Sequence, residues 1–179
     1  MIFSLFDMPA GADPLPGNRI VYDVGRGEAW AGSVGVQEHA LVWELSEYGA
    51  EGALLSAEVA LKPEDEWLMR CDRVDFPPGG VAYRHTHPGP GIRYLLFGSI
   101  RIESGGRTDE YGPSEAWFES GPEPVYAAAS EAEDTAFVRA LLLPREWEGK
   151  RTIRYVDPSD EEKPKLQRAT VFLEQPIEL

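Results

Sequence analysis

The sequence predicts an all-β protein of the sandwich or barrel class, and three observations support this. Short apolar stretches recur between turns at intervals of about 8–12 residues, which is the strand spacing of such folds. Turn-forming residues are abundant, with 18 glycines and 15 prolines among 179 residues. The segment Ser104-Gly105-Gly106-Arg107 separates two strand-like stretches and indicates a hairpin. The chain is therefore expected to consist of many short strands joined by turns.

The first part of the chain contains strand candidates of uneven quality. The segment from Met1 to Asn18 is apolar and then rich in Pro, Gly and Ala, which predicts an extended arm that packs on its own domain or exchanges with a partner. The stretch from Gly25 to Gly35 reads as a loop, and Ala53 to Leu61 would suit a strand or a helix. The strand candidates here are Arg19 to Val24, Val36 to Leu45, Ala53 to Leu61 and Trp67 to Phe76.

The second half alternates strands and turns more regularly. Its strand candidates are Ser99 to Glu103, Thr108 to Tyr111, Ala116 to Glu119, Val125 to Ala128 and Thr135 to Leu143. Beyond Pro144 the chain changes character, because a charged, proline-containing loop from Asp157 to Lys165 separates two weaker strand candidates. Those two candidates are Thr152 to Val156 and Ala169 to Leu173.

Composition and charge exclude several classes of partner. The length fits one domain, and the formal net charge of -14 argues against nucleic acid and anionic membranes, since both need basic patches. The single cysteine, Cys71, excludes an intrachain disulfide. Met1 to Gly11 is a poor signal peptide, and no apolar run approaches the roughly 20 residues of a membrane-spanning helix. We therefore expect a soluble, cytoplasmic protein.

The most informative stretch runs from Asp75 to Gly98. On an extended strand His85 and His87 point to the same side, where two imidazoles can chelate one ion. Prolines and glycines before and after this pair turn the chain, and the apolar run from Ile92 to Phe97 then predicts a buried strand. The sequence thus predicts two strands joined by a tight corner, with the histidines at the corner.

This stretch resembles the first sequence motif of the cupin superfamily, with Gly79, His85, His87 and Gly98 at the motif positions. Gly91 stands where the usual glutamate ligand would be, and a glycine has no side chain to bind metal. The resemblance implies a cupin-type jelly-roll β-barrel with extra flanking strands. It also implies a single cupin domain over residues 1–179, with a motif-bearing core at about 75–143, an N-terminal arm at 1–18 and a C-terminal extension at 144–179.

The second cupin motif matches the segment from Gly112 to Tyr126 only loosely, and its histidine position falls at Tyr126. Tyr126 is the candidate catalytic residue, as a general acid or base, or alternatively a phenolate ligand of the metal. It would otherwise fill the barrel mouth with its hydroxyl hydrogen-bonded. Glu119 is the candidate that would supply the carboxylate missing at Gly91, unless its face of the strand is solvated.

Two further residues are candidates for binding a substrate. Arg93 lies in an apolar strand, so its guanidinium must be paired, either with a carboxylate such as Glu119 or with an acidic ligand. The same ambiguity applies to Arg139. Tyr83 is predicted to share the face of His85 and to line the pocket.

Two readings of function follow from the resemblance. The first is a metal-binding cupin that carries one divalent ion (Fe, Mn, Ni or Zn) at His85, His87 and Glu119, with dioxygenase, isomerase or lyase chemistry on a small organic acid. The second is a ligand-binding or regulatory cupin without catalysis that has lost the full metal site. Both readings predict a small-molecule ligand, which the charge of Arg93 makes anionic. The apolar segment from Met1 to Phe6 predicts a homodimer.

Overall fold

The computed structural model describes residues 1–49 and 51–179. The strands are β1 (Ile2–Met8), β2 (Arg19–Asp23), β3 (Glu28–Ala31), β4 (Ala40–Ser46), β5 (Leu55–Glu58), β6 (Trp67–Phe76), β7 (Val81–Thr86), β8 (Gly91–Phe97), β9 (Ile100–Ser104), β10 (Arg107–Tyr111), β11 (Ala116–Glu119), β12 (Val125–Ala129), β13 (Thr135–Pro144), β14 (Arg154–Tyr155) and β15 (Arg168–Ile177). The helical segments of the described chain are short 3-10 turns at Arg145–Trp147 and Pro158–Glu161. The all-β prediction is confirmed, and none of the described helices is long and apolar enough to cross a membrane.

The described chain divides into two compact units. The first comprises Met1–Cys71, Ala140–Glu148 and Val171–Leu179, and the second comprises Asp72–Arg139 and Gly149–Thr170. The second unit contains the motif-bearing stretch and most of the C-terminal extension. The single-domain boundaries given above stay a prediction.

The first unit contains a sheet of strand order β3-β2-β4-β1-β5. Strand β1 pairs with β4 on one side and β5 on the other, and its Phe3 and Leu5 are fully buried. The segment predicted to be an arm therefore begins with an inner strand of the chain's own sheet, and of the two alternatives the first holds. The prediction of a loop from Gly25 to Gly35 was wrong in part. Residues 28–31 form a strand that pairs with β2, and Trp30 packs on the core of this unit. The predicted homodimer is not tested by these pairings.

The second unit is built around one core that draws on two sheets. One sheet has the order β10-β9-β12-β7-β14, and the other has the order β11-β8-β13-β6-β15, of which β6, β13 and β15 also have residues in the first unit. Apolar side chains of both sheets meet in a single cluster that includes Phe76, Leu95, Trp117, Val125 and Phe137. Two antiparallel layers that close on a shared core are the arrangement of a jelly roll.

Two motif glycines are required by the backbone of this unit. Gly79 and Gly98 have φ angles of 71° and 80°, a left-handed conformation that glycine adopts without cost. A Cβ on Gly98 would also lie 2.4 Å from the Thr135 hydroxyl oxygen, so the chain can turn this closely only without a side chain. These glycines fix the turn before β7 and the end of β8, and therefore the corner that carries the histidines.

A β-bulge decides which residues of β7 face the interior. Across β12, Val125 pairs with His85 and Ala127 pairs with Ala82, so two residues of β7 oppose one residue of β12. Ala82 belongs to the core and His85 is buried, with Tyr83 and Arg84 between them. The prediction that Tyr83 shares the face of His85 is therefore wrong, because strict alternation does not continue through a bulge.

Candidate functional site

The interior of the second unit contains a cluster of charged and polar side chains at one end of its apolar core. Six members are each no more than 9% exposed, although they come from five strands and the corner after β7. They are Asp72 on β6, His85 on β7, His87 at the corner, Arg93 on β8, Glu119 on β11 and Arg139 on β13. We call this set the His–Arg centre. Such a number of buried ionisable groups requires that each be paired.

His85 presents one unprotonated ring nitrogen to the centre. Its Nδ1 lies 2.7 Å from the backbone oxygen of Tyr83, and since a carbonyl only accepts, Nδ1 carries the proton and donates. The lone pair is then on Nε2. Burial lowers the pKa of His85 below 6.5, while the nearby Glu119 carboxylate acts against that shift. At neutral pH His85 is thus an uncharged imidazole with a fixed tautomer.

His87 lies beside His85, with the two rings edge to face and their centroids 4.9 Å apart. Its Nε2 is 3.2 Å from Nη1 of Arg139, and since a guanidinium only donates, Nε2 accepts this hydrogen bond. Burial, followed by the charge of Arg139, lowers the pKa of His87 well below 6.5. Nδ1 must then hold the proton, yet it is buried without a hydrogen bond of normal geometry; the Thr152 backbone has only a small effect there.

Arg139 is held in place by Asp72. Its Nε donates to Oδ1 of Asp72 at 2.7 Å and its Nη2 donates to Oδ2 at 3.3 Å, which is the two-pronged geometry that guanidinium and carboxylate favour. Both residues are at least nine-tenths buried. Because Asp72 fixes two of the three nitrogens, Nη1 points at His87 in a defined direction.

Arg93 and Glu119 form a second buried ion pair. Nη2 of Arg93 lies 2.5 Å from Oε2 of Glu119, Nη1 donates to the backbone oxygen of Gly91 at 2.6 Å, and Trp117 donates to Oε1 of Glu119 at 2.9 Å. The Nη2 contact is an ion pair without good hydrogen-bond angles, and Nε of Arg93 has no partner. Burial lowers the pKa of Arg93 to about 10, and it therefore stays charged at neutral pH.

The strand register explains how Glu119 reaches the centre. Glu119 lies directly opposite Gly91 across β8 and β11, so its side chain comes from the neighbouring strand into the space that Gly91 leaves free. Of the two alternatives for the face of Glu119, the structure has the inward one, since Glu119 is 9% exposed. Of the two alternatives for Arg93, the structure has the ion pair with Glu119.

The His–Arg centre is balanced in charge. It holds two guanidiniums and two carboxylates in one-to-one pairs, and both imidazoles are neutral at pH 7. Because Glu119 offsets the charge of Arg93, Arg93 adds no net positive charge to the centre, and the anionic ligand predicted from it stays a prediction.

The residues do not fit a tightly held metal ion in this arrangement. His85 has the tautomer that a metal ligand needs, but Nε2 of His87 is hydrogen-bonded to Arg139 and the carboxylate of Glu119 is paired with Arg93. Within residues 1–49 and 51–179, no group of three or more His, Cys, Asp or Glu side chains is arranged to hold a metal ion. The metal prediction is therefore neither confirmed nor tested, and the donor set argues against it.

Tyr126 is not part of the centre. On β12 the buried Val125 and Ala127 belong to the core, and Tyr126 lies between them on the opposite face. Val125, not Tyr126, pairs with His85 across the two strands. The structure thus does not bring Tyr126 to the histidines, and its catalytic role stays a prediction that this placement does not support.

Tyr155 was missed from the sequence and lies next to the centre. Strand β14 pairs with β7 so that Tyr155 is opposite His85, with ring centroids 6.5 Å apart. The ring of Tyr83 also packs against Tyr155, edge to face, with centroids 6.4 Å apart. The sequence predicted a strand from Thr152 to Val156, but a pairing between segments so far apart leaves no local signal, so the contact of Tyr155 with His85 could not be predicted.

Three basic side chains surround this tyrosine pair. Lys163 lies over the Tyr83 ring at 4.8 Å, while Lys165 and Arg151 lie over the Tyr155 ring at 4.8 Å and 5.4 Å. Cations over aromatic faces stabilise a stacked arrangement. We call this set the tyrosine edge of the centre: Tyr83, Tyr155, Arg151, Lys163 and Lys165.

Comparisons with known proteins give partial similarities. No protein-family model and no curated protein matches the chain. Among solved structures, the polyketide cyclase RemF from Streptomyces resistomycificus is 23% identical over 56% of this chain and 70% of its own, with a TM-score of 0.42. An RmlC-like cupin from Shewanella frigidimarina NCIMB 400 is 17% identical over 44% of this chain and 68% of its own, with a TM-score of 0.38. The DMSP lyase DddQ from Ruegeria pomeroyi DSS-3 is 18% identical over 53% of this chain and 45% of its own, with a TM-score of 0.42.

Similarities at this level assign no activity to this chain. The chain itself has an all-β architecture, left-handed glycines at Gly79 and Gly98, and two buried histidines at the corner between them. In its all-β fold and its first motif, the chain resembles the cupin superfamily.

Proposed function

We propose that the protein is a ligand-binding cupin-like protein whose ligand is a small organic acid, bound between His85 and Arg139. The observation that carries the proposal is the free lone pair on Nε2 of His85, fixed by the hydrogen bond from Nδ1 to Tyr83. A neutral imidazole in this state accepts a hydrogen bond from a hydroxyl or a protonated acid oxygen of a ligand.

Arg139 supplies the donors for the acid group. A guanidinium has five N–H donors, and three of those of Arg139 are directed to Asp72 and His87, which leaves two for a ligand. Carboxylates pair well with two guanidinium N–H groups. Arg139 therefore takes the ligand-binding role first expected of Arg93, and Arg93 serves to hold Glu119 within the centre.

Unsatisfied atoms in the centre support a bound molecule. Nε of Arg93 is a buried donor without a hydrogen-bond partner, and Nδ1 of His87 is a buried donor with no hydrogen bond of normal geometry. Buried donors in folded proteins are normally satisfied by protein, water or ligand. A small polar ligand, alone or with ordered water, would satisfy them. The proposal concerns binding and includes no reaction, so the lyase, isomerase and dioxygenase readings are not carried further.

The test is a thermal-shift screen of small organic acids against their neutral amides and alcohols. An acid present at about 100 times its dissociation constant adds roughly 2.7 kcal/mol of stability. We expect this shift in the parent and in His39→Gln, whose histidine lies on the first unit, and its loss in His85→Gln. If acids shift His85→Gln as much as the parent, or if only the neutral compounds act, the proposal is wrong.

A further inference from the structure

A guanidinium of the chain itself lies against one of the two histidines of the His–Arg centre. In a His-x-His metal pair each imidazole directs a lone pair at one ion. Here the lone pair of His85 is free, whereas that of His87 accepts from Nη1 of Arg139 at 3.2 Å. A guanidinium therefore lies at the nitrogen of His87 that an ion would need.

Arg139 is not placed to move aside for an ion. It is 7% exposed and makes two hydrogen bonds to Asp72, which is 2% exposed. Moving the guanidinium away would leave the Asp72 carboxylate buried without its partner, and an unpaired buried charge is strongly unfavourable.

The remaining ligand positions are also occupied or apolar. Gly91 offers no side chain, and Val125 stands opposite His85. The carboxylate of Glu119, which faces the same interior, is paired with Arg93 and accepts from Trp117. An ion would thus find one free imidazole and no free carboxylate among these residues.

We infer that the guanidinium of Arg139 is the resident cation of this centre, standing where the cupin resemblance implies a metal ion, and that the protein works without a divalent metal. This goes beyond the proposed binding of an acid, because it states what fills the centre whether or not an acid binds. The juxtaposition that carries it is His87 Nε2, Arg139 and Asp72 in one buried chain of hydrogen bonds.

The first measurement is the metal content and metal affinity of the full chain, purified without a His tag and without chelator. We expect far less than one ion per chain. We also expect any binding of Zn²⁺, Ni²⁺ or Mn²⁺ to be the same in the parent and in the double variant His85→Gln with His87→Gln. One ion per chain that disappears in that double variant would overturn the inference.

The second measurement asks whether Arg139 blocks the site. The double variant Arg139→Met with Asp72→Asn removes the guanidinium and its counter-charge together, and so frees Nε2 of His87. We expect Zn²⁺ to bind this variant at least tenfold more tightly than the parent. The matched control is Arg73→Met with Asp75→Asn, a half-exposed ion pair on the same strand, which should bind Zn²⁺ as the parent does.

Equal Zn²⁺ affinity of the Arg139 variant and the parent would overturn the inference. Should that variant fail to fold, the metal content of the parent decides alone. Repeating the acid screen with excess EDTA separates this inference from the proposed function. An acid shift that persists in EDTA supports both, and one that appears only with added metal overturns the inference but leaves acid binding in place. No acid shift in either condition overturns the proposed function, while the metal content still decides the inference.

Discussion

Arg93 is the residue whose environment differs most from what its neighbours in sequence suggest. It is fully buried in an apolar strand, and Glu119 is its only charged partner within ion-pair distance among the described residues. Removing one member of a buried pair leaves the other uncompensated, at a cost of about 3–5 kcal/mol. We expect Arg93→Met to lose stability of this order in urea unfolding, and Arg93→Met with Glu119→Gln to regain most of it. Arg107→Met, at a strongly exposed arginine, should be close to neutral. A loss in Arg93→Met no larger than that of Arg107→Met would contradict the buried pair.

His87 makes the stability of the protein depend on pH. Burial and Arg139 lower its pKa in the folded state below the ordinary 6.5, so the unfolded chain binds a proton more readily than the folded one. The stabilising effect of a neutral His87 is complete above pH 6.5 and is lost as the pH falls below that value. We expect the parent to lose more stability between pH 7.5 and pH 5.5 than His87→Gln does. The measurement is urea unfolding of both proteins at the two pH values. If the parent and His87→Gln lost the same unfolding free energy between pH 7.5 and pH 5.5, this prediction would be contradicted.

At this scale the sequence indicates that Arg93 and Arg139 need partners, because guanidiniums in apolar strands are always paired. It cannot indicate the partner of Arg139, since Asp72 is 67 residues away and comes from a different strand. The two histidines were identified from their spacing alone. The hydrogen bonds and tautomers of the two histidines could not be predicted from the sequence. They depend on a backbone oxygen and on Arg139, which only the fold brings to them.

Strands β7, β12 and β14 decide which tyrosine lies beside His85. The bulge turns Tyr83 away from the face of His85, the alternation of β12 turns Tyr126 to the other face, and the register of β14 brings Tyr155 to His85. An aromatic contact of this kind is worth about 0.5–1.5 kcal/mol. We therefore expect Tyr155→Ala to weaken acid binding by roughly two- to tenfold in calorimetry, and Tyr126→Ala to leave it unchanged. A larger effect of Tyr126→Ala would show that the faces of β12 are assigned wrongly.

Element boundaries in the core of the second unit follow the sequence closely. The ranges of β6 and β11 coincide with their predicted strands, because turn residues and apolar alternation mark both ends. Register does not follow in the same way. A single extra residue in β7 exchanges the two faces of that strand, and it leaves no local signal in the sequence.

For the whole molecule, the fold class could be predicted from the sequence, whereas the contacts of the His–Arg centre could not. The all-β class follows from composition, turn spacing and the glycines of the first motif, which are properties of single residues and short segments. The inner position of β1 and the pairing of β14 with the histidine strand depend on contacts between distant segments. The His–Arg centre depends on five strands at once, so it appears only when the strands are assembled.

The most direct test of a metal-free centre is the tautomer of His87, which two-bond ¹⁵N–¹H NMR of the histidine rings reports in the intact protein at pH 7.5. The hydrogen bond from Arg139 to Nε2 requires that His87 be neutral and carry its proton on Nδ1, as His85 does through Tyr83. We predict this tautomer for both rings, unchanged when EDTA is added. A His87 ring protonated on Nε2, or ring signals of either histidine that shift when EDTA removes a bound ion, would contradict the account.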